Sequence, residues 1–452
     1  MKRFAMFLAL ALSGSVLVRA ARPRAAAEDE LVLKARAFVA ALAKADYAAA
    51  VKDYDATMAK VLGPDKLADL WKSLQGQMGA FKSQAAARRE KLGAFDIVLV
   101  TCEYEKGPLD TRVVFSKDGS LSGLQFVPTR PPAVYEPPKY ADPALFEERE
   151  VTVGGGEWAL PGTLTVPKGK GPFPALVLVH GSGPNDRDET LGPNKPFKDL
   201  AWGLASRGIA VLRYEKRTRQ YATKLAADRK LLARLTVKEE TIDDALEAVR
   251  LLKATAGIEA KRIFVLGHSL GGMLVPRIAL AGKDLGIAGF VSMAGLTRPV
   301  DETILRQMTY LLSLDGSLSA DDTKQLDAIR ADIARIKALR DSDAGSADMI
   351  MHAAPGYWLD LRAYDPPSVA LKMTPPLLVL QGSRDYQVTV DDFDNWKKAL
   401  AGKPGVEFKL YEKLNHLFFE GQGLPTPDEY TAAHASVAEY VVADIAAFIA
   451  KH

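Results

Sequence analysis

The chain has 452 residues, of which 48% are hydrophobic and 25% are charged. This composition is ordinary for a globular protein of roughly two or three domains, and it excludes a disordered or collagen-like chain. Lysine and arginine (59) barely exceed aspartate and glutamate (56), which gives no reason to expect a nucleic acid or an anionic membrane as partner. The single cysteine, Cys102, excludes an intramolecular disulfide and a cysteine-based metal cluster.

The N-terminus has the pattern of an export signal. Lys2 and Arg3 precede an apolar run, interrupted only by small residues, that is shorter than the roughly 20 residues of a membrane-spanning helix. Val18-Arg19-Ala20 or Ala25-Ala26-Ala27 would suit a signal peptidase. We therefore expect residues 1–27 to be a cleaved signal peptide. The mature protein is then periplasmic or secreted, with no stable membrane insertion after cleavage.

Residues 28–127 combine helical patterns with short alternating runs. Hydrophobic residues recur at helical spacing over about Leu31–Ala87. From Phe95 the period changes to two, and Asp118–Gly119 supplies a turn before one more strand pattern. We expect a small N-terminal α+β domain in which helices are followed by an antiparallel sheet.

A proline-rich segment follows this domain. Six prolines lie between residues 128 and 143. Because proline restricts φ and removes a backbone donor, we expect an extended, semi-rigid linker over residues 128–145.

Residues 146–452 show the pattern of a doubly wound α/β domain. After a hairpin pattern around Gly154–Gly156, uniformly apolar runs alternate with helical ones. Such runs are typical of strands buried on both faces of a mostly parallel sheet. They are residues 175–179, 209–212, 263–266, 289–293 and 377–380. The alternation stops at about 296–365, where an amphipathic helix indicates either a solvated surface helix or a helical cap inserted over the strand ends.

The strongest chemical motif is Gly267-His268-Ser269-Leu270-Gly271-Gly272, which directly follows one of these strand patterns. A serine in a sharp strand-to-helix turn presents its hydroxyl above a sheet, and flanking glycines leave room for the strained backbone. Ser269 is therefore the predicted nucleophile. The alternative is a serine that only caps the following helix.

A serine hydroxyl needs a base, and the base needs a carboxylate that holds its tautomer. Of the six histidines, His416 lies in a loop after a late strand pattern, where a fold of this kind places its base. Asp385 lies just past the strand pattern at 377–380, which makes it the predicted acid. We expect the nearby Asp391 and Asp392 to form the N-cap of the next helix instead.

Two backbone N–H groups are predicted to stabilise an oxyanion. One belongs to Leu270, directly after the nucleophile, and the other to Ser182 in the glycine-rich loop His180–Pro184. The alternative for this loop is a plain glycine turn. Tyr357 and Trp358 are weaker candidates for substrate binding, because adjacent aromatic residues more often belong to a core.

Together these residues resemble the α/β-hydrolase superfamily over residues 146–452. The stretches 180–186 and 213–217 are similar to secreted serine esterases related to dienelactone hydrolases and bile-acid-CoA acyltransferases. Those two enzyme groups use a cysteine nucleophile, so Ser269 favours ester hydrolysis over their own reactions. Residues 31–127 resemble the small module of unknown function that precedes such esterases, which has a cystatin-like or nuclear-transport-factor-like shape.

We therefore expect an exported serine hydrolase that cleaves small-molecule carboxylic esters through an acyl-enzyme. A serine aminopeptidase, whose cap would supply an acid for a free α-amine, and an acyltransferase remain alternatives. A binding protein built on an inert hydrolase scaffold is a third, although the complete triad weighs against it. No zinc-binding H-E-x-x-H or dinucleotide fingerprint occurs, so no metal or cofactor is expected. The oligomeric state stays open.

Overall fold

The structure is a computed structural model that describes residues 29–92, 95–116, 118–129, 134–362 and 364–452. The predicted signal peptide lies outside the described residues. The chain divides into two compact units between Ala133 and Val134. In the part of the chain that is described, no helix is both long enough and apolar enough to cross a membrane.

The N-terminal unit packs helices on one face of an antiparallel sheet with the strand order β1-β2-β3-β4. Its buried core includes Phe38, Leu42 and Trp71 from the helices and Val100 and Tyr104 from the sheet. The helices are α1 (Glu30–Ala43), α2 (Tyr47–Ala50), α3 (Ala56–Val61) and α4 (Pro64–Met78), and the strands are β1 (Phe81–Leu92), β2 (Phe95–Tyr104), β3 (Gly107–Phe115) and β4 (Leu121–Pro128).

The prediction that the helical pattern extends to Ala87 is wrong. Helix α4 ends at Met78, and Gly79 follows with a φ of +79°, a conformation that glycine adopts easily at the end of a helix. From Phe81 the chain pairs with β2 along a whole strand. The alanines of this segment favour a helix locally, but cross-strand pairing decides its structure.

The C-terminal unit contains an eight-stranded sheet with the order β12-β11-β10-β9-β7-β8-β6-β5. The first six strands of this order, including β7, run parallel to one another. Strands β5 and β6 form an antiparallel hairpin at one edge. The predicted apolar runs lie in buried strands, except that the run 209–212 begins one residue before β8. The strands are β5 (Phe146–Val153), β6 (Leu160–Pro167), β7 (Phe173–Val179), β8 (Ala210–Tyr214), β9 (Ile258–His268), β10 (Gly289–Met293), β11 (Leu377–Gly382) and β12 (Val406–Tyr411).

Helices flank this sheet, and the fold class predicted from the sequence is confirmed. The connections before the insertion contain α5 (Pro196–Ala205), α6 (Arg217–Gln220), α7 (Ala222–Ala227), α8 (Arg229–Ala233), α9 (Asp243–Ala254, preceded by a π-helical turn, Lys238–Ile242) and α10 (Leu270–Ala281). The insertion and the C-terminal part contain α11 (Val300–Leu312), α12 (Ala320–Ala338), α13 (Pro355–Arg362), α14 (Pro366–Ala370), α15 (Val390–Ala399), α16 (Asp428–Thr431) and α17 (Glu439–Lys451).

The insertion between β10 and β11 is a helical cap. Helices α12 and α13 share a small core of Ile336, Ile350 and Trp358. Helix α11 contacts the loops that follow β11 and β12: Gln307 donates to the carbonyl of Gln387 (3.1 Å), and the Tyr310 hydroxyl donates to that of Pro425 (2.9 Å). Because these loops lie at the carboxyl ends of parallel strands, the cap covers the edge where α/β sheets bind their ligands.

Candidate active site

Ser269 lies in a sharp turn between β9 and α10. Its φ is +54°, a conformation that non-glycine residues rarely adopt and that costs about 1–3 kcal/mol. A Cβ on Gly267 would lie only 2.1 Å from the carbonyl oxygen of Gly271, so the turn needs a glycine at 267. The Ser269 N–H donates to the carbonyl of Met293 on β10 (2.9 Å), which anchors the turn to the sheet.

Asp385 and His416 form a buried hydrogen-bonded pair. The Nδ1 atom of His416 lies 2.7 Å from Oδ2 of Asp385, and the two side chains are 5% and 0% exposed. The other oxygen of Asp385 accepts the backbone N–H groups of Gln387 (2.8 Å) and Val388 (2.9 Å). The carboxylate is therefore held in place, and it selects the imidazole tautomer that carries its proton on Nδ1.

Two loops bring this pair together at the carboxyl edge of the sheet. Asp385 follows β11, and His416 follows β12. The Asn415 side chain accepts the backbone N–H groups of Leu417 (3.0 Å) and Phe419 (3.2 Å), which shapes the histidine loop. Gly382 allows this loop to approach, because a Cβ there would lie 2.3 Å from the carbonyl oxygen of Leu414.

The serine and the histidine lie on contacting segments. The ring of His268, next to Ser269, lies 4.7 Å from the ring of His416, and its Nε2 donates to the His416 carbonyl (3.0 Å). In the part of the chain that the structure describes, Ser269 Oγ makes no direct hydrogen bond to His416. Such contacts are often long in unliganded enzymes and shorten when substrate binds.

Asp391 and Asp392 have structural partners, although not those predicted. The N-cap of α15 is Thr389, and Asp392 is the third helical residue, whose carboxylate completes a capping box. Asp392 also accepts from the backbone and guanidinium of Arg298, and the exposed Asp391 pairs with the same guanidinium (3.2 Å). The prediction that these aspartates form the N-cap is therefore wrong in position.

The two predicted oxyanion donors lie where the glycine loop meets the turn. A Cβ on Gly181 would lie 3.1 Å from the Cβ of Ser269, and one on Gly271 would lie 2.4 Å from the carbonyl oxygen of Val179. Leu270 is the first residue of α10, so its N–H has no acceptor within the helix. Within the described residues, neither this N–H nor that of Ser182 donates a hydrogen bond. Both are therefore available to a ligand.

A buried His268–Glu189 pair braces these loops, and it is missing from the sequence-based site. Oε2 of Glu189 lies 2.7 Å from Nδ1 of His268, and Oε1 accepts the N–H of Gly181 (2.6 Å). Burial lowers the pKa of His268, but the Glu189 carboxylate, the His416 carbonyl and Asp385 together raise it above its usual value. Burial raises the pKa of Glu189, but His268, His180 and the Gly181 N–H together lower it below its usual value, so both shifts favour the charged form of the pair.

The weaker candidates, Tyr357 and Trp358, have structural partners in the cap. Trp358 is buried in the core of the insertion, and its indole N–H donates to the carbonyl of Ile350 (2.9 Å). The Tyr357 hydroxyl donates to Glu240 (2.8 Å). A role for either residue in substrate binding stays a prediction.

The described residues contain no candidate metal site. Nowhere in them do three or more histidine, cysteine, aspartate or glutamate side chains group so that they could hold a metal ion.

Comparison with known proteins matches both units of the chain. Residues 176–444 match the model of the alpha/beta hydrolase family. Residues 35–124 match a family described as a protein of unknown function (DUF3887).

One curated relative is Esterase EstD of Thermotoga maritima, 40% identical over 390 residues that cover 86% of this chain and 88% of the relative. Among solved structures, an esterase of Pyrococcus furiosus is 18% identical over 68% of this chain and 91% of its own, with a TM-score of 0.42. A putative dienelactone hydrolase of Klebsiella pneumoniae is 16% identical over 68% of this chain and 99% of its own, with a TM-score of 0.40.

The family assignment rests on the alpha/beta hydrolase family model and on the Thermotoga relative, and it agrees with the sheet topology. The family model covers more than half of the chain, and the Thermotoga relative is similar over most of both sequences. The chain therefore belongs to the alpha/beta hydrolase family.

Proposed function

We propose that this protein is a serine esterase that cleaves small carboxylic esters through an acyl-enzyme. The observation that carries the proposal is the buried His416–Asp385 pair, whose histidine contacts the turn that holds Ser269 at a φ of +54°. A strained serine next to an oriented base is the arrangement that acyl transfer needs. The similarity to a protein named Esterase EstD supports an ester as substrate.

In the proposed mechanism Ser269 Oγ attacks the ester carbonyl, and Nε2 of His416 takes its proton. Asp385 holds Nδ1–H and stabilises the imidazolium. The N–H groups of Ser182 and Leu270 donate to the developing oxyanion. His416 then returns the proton to the departing alcohol. A water molecule, activated by the same histidine, hydrolyses the acyl-enzyme and releases the acid.

The carboxylates of the cap bear on the alternative of a serine aminopeptidase. A serine aminopeptidase needs an unpaired carboxylate for the α-ammonium group. Glu302 pairs with Lys337, Asp343 with Arg340 and Asp360 with Arg277. For Asp301 and Asp341 no ion pair is found in the described residues. The proposal commits to esters because of the similarity to Esterase EstD, and peptide hydrolysis becomes an outcome of the test.

A substrate panel tests the proposal. Chromogenic esters of graded acyl length, amino-acid anilides and acyl-CoA thioesters with an acceptor are given to the wild type and to Ser269→Ala. We expect turnover of the esters by the wild type and none by the variant. Faster turnover of anilides, or acyl transfer without hydrolysis, would replace the esterase by one of the alternatives.

Export is a separate proposal that rests on the sequence alone. Lys2, Arg3 and the apolar run after them support a cleaved signal peptide and a periplasmic or secreted protein. N-terminal sequencing of the protein purified from its native cells tests this. We expect a new N-terminus near residue 21 or 28, and a chain that begins at Met1 would contradict it.

A further inference from the structure

The peptide group between Gly181 and Ser182 lies among buried charged side chains that the triad does not use. The Lys216 ammonium group donates to the Gly181 carbonyl oxygen (2.7 Å). The N–H of the same glycine donates to Glu189 (2.6 Å). Hydrogen bonds therefore hold Gly181 at both its donor and its acceptor, with a cation on the side of the carbonyl.

The carbonyl of Gly181 and the N–H of Ser182 belong to one planar peptide group, in which they point in opposite directions. A cation that binds the carbonyl therefore fixes the direction of the N–H on the other side. It also draws electron density toward the oxygen, which makes that N–H a stronger donor. Asn185 reinforces the orientation, since its amide approaches the carbonyls of Gly181 (3.3 Å) and Ser182 (3.0 Å).

The burial of Lys216 is unfavourable unless its ammonium group finds partners, because a buried ammonium group loses its hydration. Lys216 is 2% exposed at the end of the buried strand β8. Glu240 lies 3.0 Å from it and is itself held by the Tyr357 hydroxyl (2.8 Å). Glu240 offsets part of the desolvation cost, but it explains only one of the two short contacts of the ammonium group. The other contact is with the loop that carries the oxyanion donor.

We propose that Lys216 is a positioning residue of the oxyanion hole, which orients and polarises the Gly181–Ser182 peptide so that the Ser182 N–H stabilises the transition state. The inference rests on the proposed esterase mechanism and adds to it a buried cation that never touches substrate. Its effect belongs to the transition state, because the oxyanion carries a charge that the ground-state ester lacks.

The test removes the cation without leaving an unpaired buried carboxylate. The variant Lys216→Met/Glu240→Gln is compared with Glu240→Gln alone, which keeps Lys216 and its contact with Gly181. Loss of one oxyanion donor lowers kcat by about 10²–10³-fold, and a weakened donor by less. We therefore expect the double variant to lose about 10–100-fold in kcat relative to the single variant, with KM changed less than about twofold.

A transition-state analogue separates this role from a structural one. A trifluoromethyl ketone forms a tetrahedral oxyanion on the serine, so its inhibition constant should rise by the same factor as kcat falls. Lys195→Met is the matched control, because Lys195 pairs with Asp188 (2.8 Å) in the same region but does not contact Gly181. Its kcat should stay within about twofold of the wild type.

If the methionine double variant does not fold, Lys216→Gln/Glu240→Gln keeps a neutral donor and should lose about three- to tenfold in kcat relative to Glu240→Gln. A folded variant without Lys216 that keeps wild-type kcat and analogue affinity would overturn the inference alone. A rise in KM with unchanged kcat would also overturn it. A wild-type protein that hydrolyses no ester would overturn both the proposed function and this inference.

Discussion

Asp385 and Asp392 are both buried carboxylates in the segment after β11, yet their partners differ in kind. Asp385 accepts two backbone N–H groups and holds the imidazole of His416. Asp392 binds the guanidinium of Arg298 and the N-terminus of α15. The first arrangement orients a base, whereas the second connects the cap to a helix. Hydrogen-bond partners rather than burial therefore distinguish a candidate catalytic acid from a structural one.

Replacement of Asp385 tests this distinction. In Asp385→Asn an amide N–H₂ can face Nδ1 of His416 and favour the wrong tautomer, so we expect kcat to fall by roughly 10⁴-fold with the fold intact. The matched control is Asp391→Asn, because Asp391 is 61% exposed and its ion pairs lie at the surface. Steady-state kinetics on one chromogenic ester measures both variants. If Asp391→Asn were the crippling change, the assignment of the acid would be wrong.

His180, in the oxyanion loop, is predicted to make stability depend on pH. Its ring is buried against Phe197 and Tyr214, and burial lowers its pKa from 6.5 to about 4. The folded protein therefore keeps His180 neutral above about pH 4, whereas the unfolded chain protonates it below 6.5. Its contribution to stability is complete above pH 6.5 and is lost as the pH falls from 6.5 to about 4.

The size of this pH dependence follows from the shift in the pKa of His180. Between pH 7 and pH 4 the wild type should lose about 3 kcal/mol more unfolding free energy than His180→Gln, which cannot titrate. Urea unfolding of both proteins at several pH values measures the difference. Equal losses in the two proteins would show that His180 is not a buried neutral imidazole.

At the scale of elements, local patterns predicted the strand-turn-helix around Ser269 but misassigned β1 and the N-cap of α15. The turn at Ser269 depends on residues that are close in the chain, because the glycines at 267 and 271 leave room for its backbone. Strand β1 forms because it pairs with β2. Its own alanine-rich sequence gives no sign of this pairing. The capping box at Thr389 was missed because Asp391 and Asp392 are equally good caps by residue type.

The cap and the acid loop are joined by a stack of tyrosines. The ring of Tyr310, on α11, lies parallel to that of Tyr386 at 5.1 Å, and Tyr386 stacks on Tyr430 at 6.0 Å. Tyr386 directly follows Asp385 in the chain. The stack therefore connects the helix that covers the strand ends with the loop that orients the base.

Loss of this contact should affect substrate binding more than chemistry. A stacked aromatic pair contributes about 0.5–1.5 kcal/mol, so Tyr310→Ala should raise KM for long-chain esters roughly two- to tenfold. The kcat for an acetyl ester should change little, because the triad keeps its own hydrogen bonds. Tyr440→Ala is the control, since Tyr440 packs on Tyr411 and is 39% exposed. An equal fall in kcat for all chain lengths would contradict this role for the cap.

For the whole molecule, the fold class and the division into two units follow from patterns that lie close together in the chain. Buried strands appear as apolar runs, and prolines accumulate near residue 133, where the two units separate. The residue boundaries of the signal peptide and the linker stay predictions. The buried supports of the site could not be predicted, because they join distant residues. Glu189 meets His268 across 79 positions, and Lys216 meets Gly181 across 35.

Ser269 is the residue that we expect to form the acyl-enzyme. A fluorophosphonate reacts covalently with an activated serine, and mass spectrometry of the digested protein identifies the modified residue. We expect one adduct per chain, on Ser269, with loss of esterase activity in proportion to labelling and no adduct in Ser269→Ala. An adduct on another residue, or full ester turnover by a protein labelled at Ser269, would show that Ser269 is not the nucleophile.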